Sequence, residues 1–458
     1  MKKLITIAAA ATLAFGLAGC SSSKESDAGI VVWTQAAADH PEGKMFAERI
    51  KRYNEAHPDQ PQVEIQNITR AGAGSGYIDK LNAAITSNSM PDIFTLDGPD
   101  VAAYVEAGVI GELDGYMSPG FHDGFTEAMI KQGTVDGKFY AMGYQDSGVV
   151  AMYNEDMIQA LPDEVKALVP ASDQDWTWSQ FTELARKIDD YAQTTTDPAF
   201  KDYEAAVSLS LWEIPGGAYE LGTYFFTPLL WANEANIVAE DGVTVDGVLN
   251  SDKSVEALTQ YAQLFAGNPL ASASESQKAF HSGKTALSIS GFWFISDITN
   301  NYPDLKFRTV RYPKMNGDYN GLYTPSGSWA FVRNGQIEDE ARIKQVVEVM
   351  EWLNNDEAHK EYYKANGAIP GRIQAVDAID TSTPNTYHNE AWEVLKHEVK
   401  NTNKARPISP GYPYLSETFA KDIILKIAQN KTTDAAAIKG YLDDAVKKIN
   451  LEFKKYQK

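Results

Sequence analysis

The sequence contains a single cysteine, Cys20, so no disulfide can form within the chain and burial of apolar surface must hold it together. Basic residues are also scarce, with 41 Lys and Arg against 62 Asp and Glu, a formal charge of −21. This surplus of negative charge argues against nucleic acid or anionic lipid as a partner, because phosphate groups would be repelled. Beyond the amino-terminal segment, no apolar run reaches the length of a transmembrane helix.

Signatures of several enzyme classes are missing as well. The chain has no Gly-x-Ser-x-Gly elbow, no His-Glu-x-x-His motif and no glycine-rich phosphate loop. Its 7 histidines are not spaced as metal ligands, and Asp241, Asp246 and Asn250 do not have the spacing of a calcium loop. We therefore expect no enzyme activity, no catalytic residues, no metal site and no cofactor. An exported glycosidase stays open as an alternative, because 62 acidic residues can supply a carboxylate pair.

The amino terminus has the pattern of an export signal. Lys2 and Lys3 precede an apolar run, 4–18, that is too short and too rich in alanine for a membrane span. The run ends in Leu17-Ala18-Gly19-Cys20, which resembles the lipobox of bacterial lipoproteins. Removal of this segment would leave 39 basic residues and a formal charge of −23.

The lone cysteine fits this context, because a thiolate is a nucleophile that can accept a diacylglycerol group. Two or three acyl chains, palmitate among them, would anchor Cys20 stably in a lipid bilayer. We predict a lipoprotein signal peptide at 1–19 and a solvated tether at 20–28. The mature protein would then be extracytoplasmic and lipid-anchored to the cell membrane. A free, buried cysteine is the alternative interpretation.

From Gly29 onward, short apolar runs with strand character alternate with helical apolar stripes. One helix start is clear, because Thr177-Trp178-Ser179-Gln180 has the form of a capping box. The alternation predicts an α/β fold with a mainly parallel sheet, and the chain length predicts two lobes. The predicted strands are 30–34, 63–65 and 93–96, and the predicted helices include 45–56, 78–85, 181–188, 255–265 and 343–353.

Eight phrases follow one another along the mature chain: PDIFTLD (91–97), YVEAGVIGELD (104–114), GKFYAMGYQDSGVVAMYNEDM (137–157), DWTWSQFTELARKI (175–188), FTPLLWANEANIV (226–238), AFHSGKTALSISGFWFI (279–295), SGSWAFV (326–332) and NGAIPGR (366–372). Together, behind a lipobox, they resemble the bacterial extracellular solute-binding proteins of family 1, the carbohydrate receptors of ABC importers. Each phrase is weak alone, but the set covers nearly the whole mature chain.

The resemblance implies a two-lobed, periplasmic-binding-protein-like fold of type II with a hinge between the lobes. It also implies that the chain crosses between the lobes more than once, near 144–151, 311–314 and 366–372. The expected amino-terminal lobe is 29–145 with 313–367, and the expected carboxy-terminal lobe is 146–312 with 368–458.

Strand ends are where a ligand site is expected, because open α/β sheets bind ligands beyond the carboxyl ends of their strands. A sugar ring needs a flat apolar platform under its C–H face and fixed donors and acceptors around its hydroxyl rim. The predicted platform residues are Trp33, Tyr144, Trp231 and Trp293, and the predicted rim residues are Asp97, Ser328 and Arg372.

Each candidate also has a structural alternative. The tryptophans can belong to a core, and Asp97 can cap the next helix, which is the commoner role of Asp at such a turn. Arg372 can pair with a carboxylate near a lobe connection, and Ser328 can be a turn residue. We assign Trp178, Trp329 and Trp352 to packing.

The predicted function is capture of a carbohydrate, most simply an oligosaccharide, by hinge closure of a monomer, followed by delivery to the transmembrane subunits of an ABC permease. Two alternatives stay open. The same fold could bind a polyamine, a metal chelate or a peptide, and a polyamine site would need several acidic groups around few aromatic rings. The other alternative is the exported carbohydrate-active enzyme.

Overall fold

The computed structural model describes residues 28–70, 76–209, 220–271, 278–315, 324–326, 329–381 and 386–457. The strands in these ranges are β1 (Ile30–Thr34), β2 (Val63–Asn67), β3 (Ile93–Asp97), β4 (Thr134–Val135), β5 (Lys138–Phe139), β6 (Ala141–Gly143), β7 (Val149–Asn154), β8 (Ala205–Ser208), β9 (Thr285–Gly291), β10 (Phe307–Val310), β11 (Thr324–Ser326), β12 (Trp329–Arg333) and β13 (Asn403–Ala405).

The helices are α1 (Pro41–Ala56), α2 (Tyr77–Ser87), α3 (Val101–Glu106), α4 (Glu127–Gly133), α5 (Glu155–Gln159), α6 (Asp163–Lys166), α7 (Trp178–Ala192), α8 (Glu220–Trp231), α9 (Asp252–Ala262), α10 (Lys278–His281), α11 (Phe294–Asn301), α12 (Glu340–Asn354), α13 (Asp356–Asn366), α14 (Ile373–Asp377), α15 (Thr386–Asn401), α16 (Tyr412–Phe419), α17 (Lys426–Asn430) and α18 (Ala435–Phe453). Short 3-10 turns lie at Gly98–Asp100, His122–Gly124 and Pro198–Phe200, and a π-helical segment, Ala420–Leu425, joins α16 to α17.

The first large sheet has the strand order β2-β1-β3-β12-β6. Its first three strands are parallel, with Ile30 opposite Val63 and β1 also parallel to β3. Strand β12 runs antiparallel to both of its neighbours. Trp329 lies opposite Asp97 of β3, and Ala330 lies opposite Gly143, the last residue of β6. The carboxyl ends of β3 and β6 therefore lie at one edge of the sheet, where β12 begins.

The second large sheet has the order β10-β7-β9-β8. Strands β8 and β9 are parallel, whereas β7 is antiparallel to β9, with Val149 opposite Gly291, and antiparallel to β10, with Ala151 opposite Val310. The carboxyl ends of β9 and β10 therefore meet the amino end of β7 at one edge.

The expected mainly parallel sheet is correct only in part, because β7 and β12 run against their neighbours. Each of these strands is the first of its sheet after the chain has come over from the other sheet. The short crossing from β6 to β7 joins the two strand-end edges: the Tyr144 amide donates to Trp329 O at one edge, and the Phe292 amide donates to Gly148 O at the other. A strand that enters its sheet at the edge where others end must run antiparallel to them.

Separate hydrophobic cores support the two sheets and make the protein two-lobed. Helices α1, α2, α12 and α13 pack with the first sheet in one core. Two further cores lie against the second sheet, one with α7, α8, α9, α16 and α18 and one with α11 and α15. Met315 packs in a core of the second sheet, although the predicted boundary places it in the amino-terminal lobe, and the boundaries themselves stay a prediction.

Local sequence signals account for several of these elements. The predicted capping box at Thr177 is confirmed: its Oγ1 accepts from the backbone N–H of Gln180 at 3.2 Å, and the side-chain Oε1 of Gln180 accepts from the backbone N–H of Thr177 at 2.7 Å. Trp178 is fully buried in the helix that follows, as its assignment to packing requires. Within the described ranges, we find no helix that is both long enough and apolar enough to cross a membrane.

Candidate functional site

Trp293 lies at the strand-end edge of the second sheet, two residues after β9. Among the described residues it is one of the few large apolar side chains exposed to solvent, at 38%. Its indole stacks at 9° against Phe225, with centroids 6.1 Å apart, and meets the edge of Tyr224 at 5.3 Å. Both of those rings belong to α8 and are buried. The indole therefore has a packed side that fixes it and an exposed part that a ligand can reach.

Asp97 ends β3 at the strand-end edge of the first sheet. Its carboxylate accepts two hydrogen bonds from Arg406, at 2.5 Å from Nη2 and 3.4 Å from Nη1. Its side chain caps no helix, although the 3-10 turn Gly98–Asp100 follows directly. The capping alternative is therefore wrong, and the oxygens of Asp97 are oriented by an arginine.

Arg406 also connects Asp97 to the second lobe. Its Nη1 donates to Glu220 Oε1 at 2.7 Å, and its guanidinium carbon lies 5.3 Å from the ring centroid of Tyr224. Since Tyr224 touches Trp293, a continuous row of side chains runs from the carboxylate of Asp97 to the exposed indole. We call this row, Asp97, Arg406, Glu220, Tyr224 and Trp293, the strand-end cluster.

The carboxylates near Arg406 carry perturbed pKa values. Burial, reinforced by the charges of Asp97 and Glu220, raises the pKa of Asp100 to about 7, while Arg406 and Arg70 oppose the rise. Burial also raises the pKa of Glu220, against the opposing charge of Arg406. Negative charge is thus costly here, and Arg406 is the cation that compensates it by direct contact.

Trp33 lies in β1 near the same edge as Asp97, but only 8% of it is exposed and it belongs to the first core. The ammonium of Lys80 lies 4.9 Å from its ring centroid. Its Nε1 has no hydrogen-bond partner among the described residues. This surrounding favours core packing over a platform role for Trp33.

Tyr144 does not lie where a platform is needed. Its ring is buried in the first core, 4.9 Å from Phe331 and 5.2 Å from Phe46 between centroids. Its hydroxyl donates to Glu42 Oε1 at 2.9 Å and accepts from Gln35 at 3.3 Å. Because its ring is enclosed and its hydroxyl is bonded, the structure gives Tyr144 a packing role, which corrects the sequence prediction.

Arg372 is also placed away from the strand-end cluster. Its Nε donates to Asp356 Oδ1 at 2.7 Å, and its guanidinium lies over Phe121 and Phe125, at 4.4 and 4.9 Å. A Cβ atom on Gly124 would come within 2.1 Å of its Nη2, so the group is tightly enclosed. Arg372 therefore pairs with a carboxylate, as the structural alternative states. This pairing corrects the predicted rim role of Arg372.

Trp231 ends α8 and is 2% exposed, with its Nε1 donating to Asn236 at 3.0 Å. It lines a cavity of about 700 Å³ between the lobes, together with Lys404 and Arg406. The Lys404 ammonium lies 4.9 Å from the ring of Trp231, and burial lowers the pKa of Lys404. Trp231 lies seven positions after Tyr224 in α8, about 10 Å along the helix axis. Trp231 is therefore not part of the strand-end cluster.

The remaining two predictions, Ser328 and Cys20, lie outside the described residues. The structure thus brings together Asp97 and Trp293 of the predicted set. It adds Arg406, Glu220 and Tyr224, which the sequence analysis did not select. Tyr224 and Glu220 stand just before the phrase FTPLLWANEANIV, so the neighbourhood of that phrase was the available signal.

A family model described as "bacterial extracellular solute-binding protein" matches residues 48–393. The chain belongs to this family. Its members are extracellular binding proteins rather than enzymes, and the family agrees with the resemblance predicted from the eight phrases.

Several relatives are distant but match over nearly their whole length. The maltodextrin-binding protein MdxE of Bacillus subtilis is 24% identical, over 100% of this chain and 99% of its own. The solved cyclic alpha-maltosyl-1,6-maltose binding protein of Arthrobacter globiformis superposes with a TM-score of 0.74 at 19% identity, covering 93% of this chain and 99% of that one. UgpB of Mycobacterium tuberculosis, solved with glycerophosphocholine, gives 0.71 at 17% identity, covering 94% and 99%. These similarities establish the two-lobed fold.

Proposed function

We propose that the protein is the substrate-binding component of an ABC importer and that it captures a carbohydrate between its lobes for transfer to the transmembrane subunits of a permease. The observation that carries this proposal is the exposed indole of Trp293, which Tyr224 connects to the bonded arginine and carboxylate at the strand ends. A sugar presents a C–H face to an indole and hydroxyls to carboxylate oxygens and guanidinium N–H groups.

Magnitudes explain why the aromatic and the polar parts are both needed. One aromatic contact contributes about 0.5–1.5 kcal/mol beyond area burial. Micromolar binding requires roughly 8 kcal/mol. Hydrogen bonds to groups such as Asp97 and Arg406, with exclusion of water as the lobes close, would supply most of the remainder.

The fold alone does not select the ligand, since one protein with this fold is named for a cyclic maltosyl-maltose and another was solved in complex with glycerophosphocholine. A quaternary ammonium calls for a cage of several aromatic rings. The strand-end cluster offers one exposed indole, Trp293, while Tyr224 is buried beneath it. One platform beside a hydrogen-bonding rim fits a sugar ring better than a choline group.

Capture would proceed by hinge closure with no covalent step. Open and closed forms exchange, and a ligand that contacts both lobes shifts the population toward the closed form. Asp97 in the first lobe and Trp293 in the second are the contacts that such a ligand would join. The lobe boundaries proposed from the sequence, near 145, 312 and 367, fit this scheme, as does a monomer.

Attachment to the cell membrane would depend on Cys20. The signal-like segment 1–19 and the lipobox end at this residue, and the polar stretch that follows would keep the lobes free to move. The receptor would thereby stay close to its permease, outside the cytoplasm.

The proposal is tested by native mass spectrometry of gently purified protein for a co-purified ligand, followed by tryptophan fluorescence titration with maltodextrins and galacto-oligosaccharides. We expect stoichiometric retention without turnover; hydrolysis would support the glycosidase alternative. W293A should weaken binding about 10-fold, equivalent to ~1.4 kcal/mol. W352F is the control, because Trp352 is half-buried on α12 and packs against α1. Equal losses in both variants would argue against a platform at Trp293.

One observation favours a second candidate, a cationic ligand such as a polyamine. Asp97, Asp100 and Glu220 place three carboxyl groups close to one another. Spermidine is therefore included in the titration, and a response to spermidine with none to any sugar would favour this candidate.

A further inference from the structure

Arg406 is a buried arginine held by carboxylates from both lobes. It is 4% exposed, contacts Asp97 at 2.5 Å and contacts Glu220 at 2.7 Å. Asp97 belongs to the first sheet and Glu220 begins α8, which packs in a core of the second lobe. A single guanidinium therefore lies between the lobes at the strand ends.

On the second-lobe side, hydrogen bonds from α16 hold Glu220 in position beside Arg406. Glu220 accepts hydrogen bonds from the Tyr412 hydroxyl at 2.7 Å and from the Ser416 hydroxyl at 2.5 Å, both from α16. The ring of Tyr224 lies beside the guanidinium of Arg406, at 5.3 Å. Arg406 thus contacts Asp97 in the first lobe and Glu220 and Tyr224 in the second lobe.

The charge balance of this region depends on Arg406. Among the groups acting on Asp100, the carboxylates of Asp97 and Glu220 raise its pKa, and the cations Arg406 and Arg70 lower it, with Arg406 the stronger. Loss of Arg406 would leave several carboxyl groups facing one another in a partly buried site. Such a site lowers its free energy by binding protons or a cationic ligand.

We propose that Arg406 determines the charge specificity of the cleft: its guanidinium occupies the carboxylates of Asp97 and Glu220, orients Asp97 toward the ligand, and so reserves the site for an uncharged, hydroxyl-rich ligand. This inference rests on the proposed function and identifies the residue that distinguishes a sugar site from a polyamine site on the same fold.

The first arm of the test uses spermidine as the probe and needs no sugar. Isothermal titration calorimetry is carried out on the wild type, R406Q and R342Q. Arg342 is the matched control, since it is also 4% exposed and pairs with Asp92 at 2.9 Å, at the other end of β3. We expect R406Q to bind spermidine at least 10-fold more tightly than the wild type and R342Q to show no change. Tight binding of spermidine by the wild type, or equal behaviour of the two variants, would overturn the inference.

The second arm uses the tightest-binding sugar of the titration panel. R406Q should lose at least 10-fold in sugar affinity, whereas R342Q should keep its affinity even if its melting temperature falls. If no sugar binds the wild type but R406Q still gains spermidine binding, the proposed function fails and the role of Arg406 in charge selection stands. If sugar binds and R406Q alters neither ligand, the inference alone fails.

R406K separates charge from geometry, because lysine keeps the positive charge but lacks the planar fork. It should bind sugar more weakly and gain no affinity for spermidine; a gain like that of R406Q would contradict the charge argument. If R406Q does not fold, the double variant R406Q/E220Q replaces it. In the double variant, Asp97 and Asp100 would still lack the positive charge of Arg406, so we expect it to bind spermidine more tightly than the wild type. Unchanged spermidine binding would overturn the inference.

Discussion

A Cβ atom on Gly291 would lie 2.3 Å from Cη2 of Trp293, closer than any real contact of this kind. The indole that forms the exposed platform therefore rests on the bare backbone at the end of β9. Glycine at this position is what allows the ring to fold back against the strand and to stack near Phe225.

Gly291→Ala should consequently weaken ligand binding by about 10-fold, or ~1.4 kcal/mol, because the added methyl group displaces the indole from its position. Fluorescence titration measures the change. Gly440→Ala is the matched control, since a Cβ there would meet no atom within 4 Å and the residue lies in α18. That control should leave affinity unchanged and raise stability by up to ~1 kcal/mol. Unchanged affinity in G291A would show that the position of Trp293 is not important for binding.

Arg372 should matter for stability and not for ligand choice. Arg372→Gln breaks the ion pair between the buried guanidinium and the partly exposed carboxylate of Asp356, 2.7 Å away, and should lower the free energy of unfolding by about 1–3 kcal/mol. The measurement is chemical denaturation alongside ligand titration of the folded variant. A variant with normal stability but lost affinity would restore the rim role that the structure argues against.

Glu42 should make stability depend on pH. Burial raises its pKa from 4.5 to about 7, and the hydrogen bond from Tyr144 only partly opposes this. Between these pH values the folded state holds a proton that the unfolded chain has released, so the contribution of Glu42 to the free energy of unfolding falls as pH rises from 4.5 to 7. Glu42→Gln cannot ionise, so its stability relative to the wild type should rise across this window by up to ~3 kcal/mol.

Glu361 supplies the control of opposite sign. Burial disfavours its charge, but hydrogen bonds from Arg52 and Arg49 prevail and lower its pKa below 4.5. Its contribution to stability is present above that value and is lost as pH falls through the folded-state pKa. Glu361→Gln should therefore cost stability at neutral pH, and the cost should shrink in acid. Parallel pH profiles for the two variants would contradict the assignment for Glu42.

Cys20→Ala should release the protein from the membrane. Without the thiol, acyl chains cannot be attached to residue 20, and the stable anchoring that two or three chains would provide is lost. Detergent phase partition of the cell extract measures this, with mass spectrometry of the mature amino terminus. Ser22→Ala in the tether is the control and should stay in the detergent phase. A wild-type protein that already partitions into water would contradict the lipid anchor.

Ligand binding should make the protein more compact. Small-angle X-ray scattering with and without a saturating sugar should show a smaller radius of gyration in the bound state, because closure brings the lobe of Asp97 toward that of Trp293. W293A at the same sugar concentration should show a smaller change. Identical scattering curves for free and fully bound wild type would rule out hinge closure.

The sequence was sufficient where contacts are local or where a whole pattern recurs. The capping box at Thr177 involves residues three positions apart, and its prediction is confirmed. The ordered phrases from PDIFTLD to NGAIPGR were enough to predict the family and its two-lobed fold. The direction of β7 and β12 was not predictable from periodicity, because it depends on which edge of each sheet the chain enters.

The strand-end cluster depends on contacts that no local pattern encodes. Asp97 and Arg406 are 309 residues apart, and Arg406 and Glu220 are 186 apart. Tyr144 and Arg372 are residue types that often bind sugars, but neither faces the cleft. The ring of Tyr144 is enclosed by Phe331, and the guanidinium of Arg372 is paired with Asp356. Only burial and distance distinguish a ligand-facing ring or charge from a packed one.

By itself, the sequence determined the lone thiol, the alternation of helices and strands and the family, and it predicted an export signal, because each is written in neighbouring residues or in an ordered series of phrases. The tertiary structure decided which side chains share one site. That choice depends on how two lobes bring distant segments together, and on the free energy of burying charge, which selects Arg406 as the partner of Asp97.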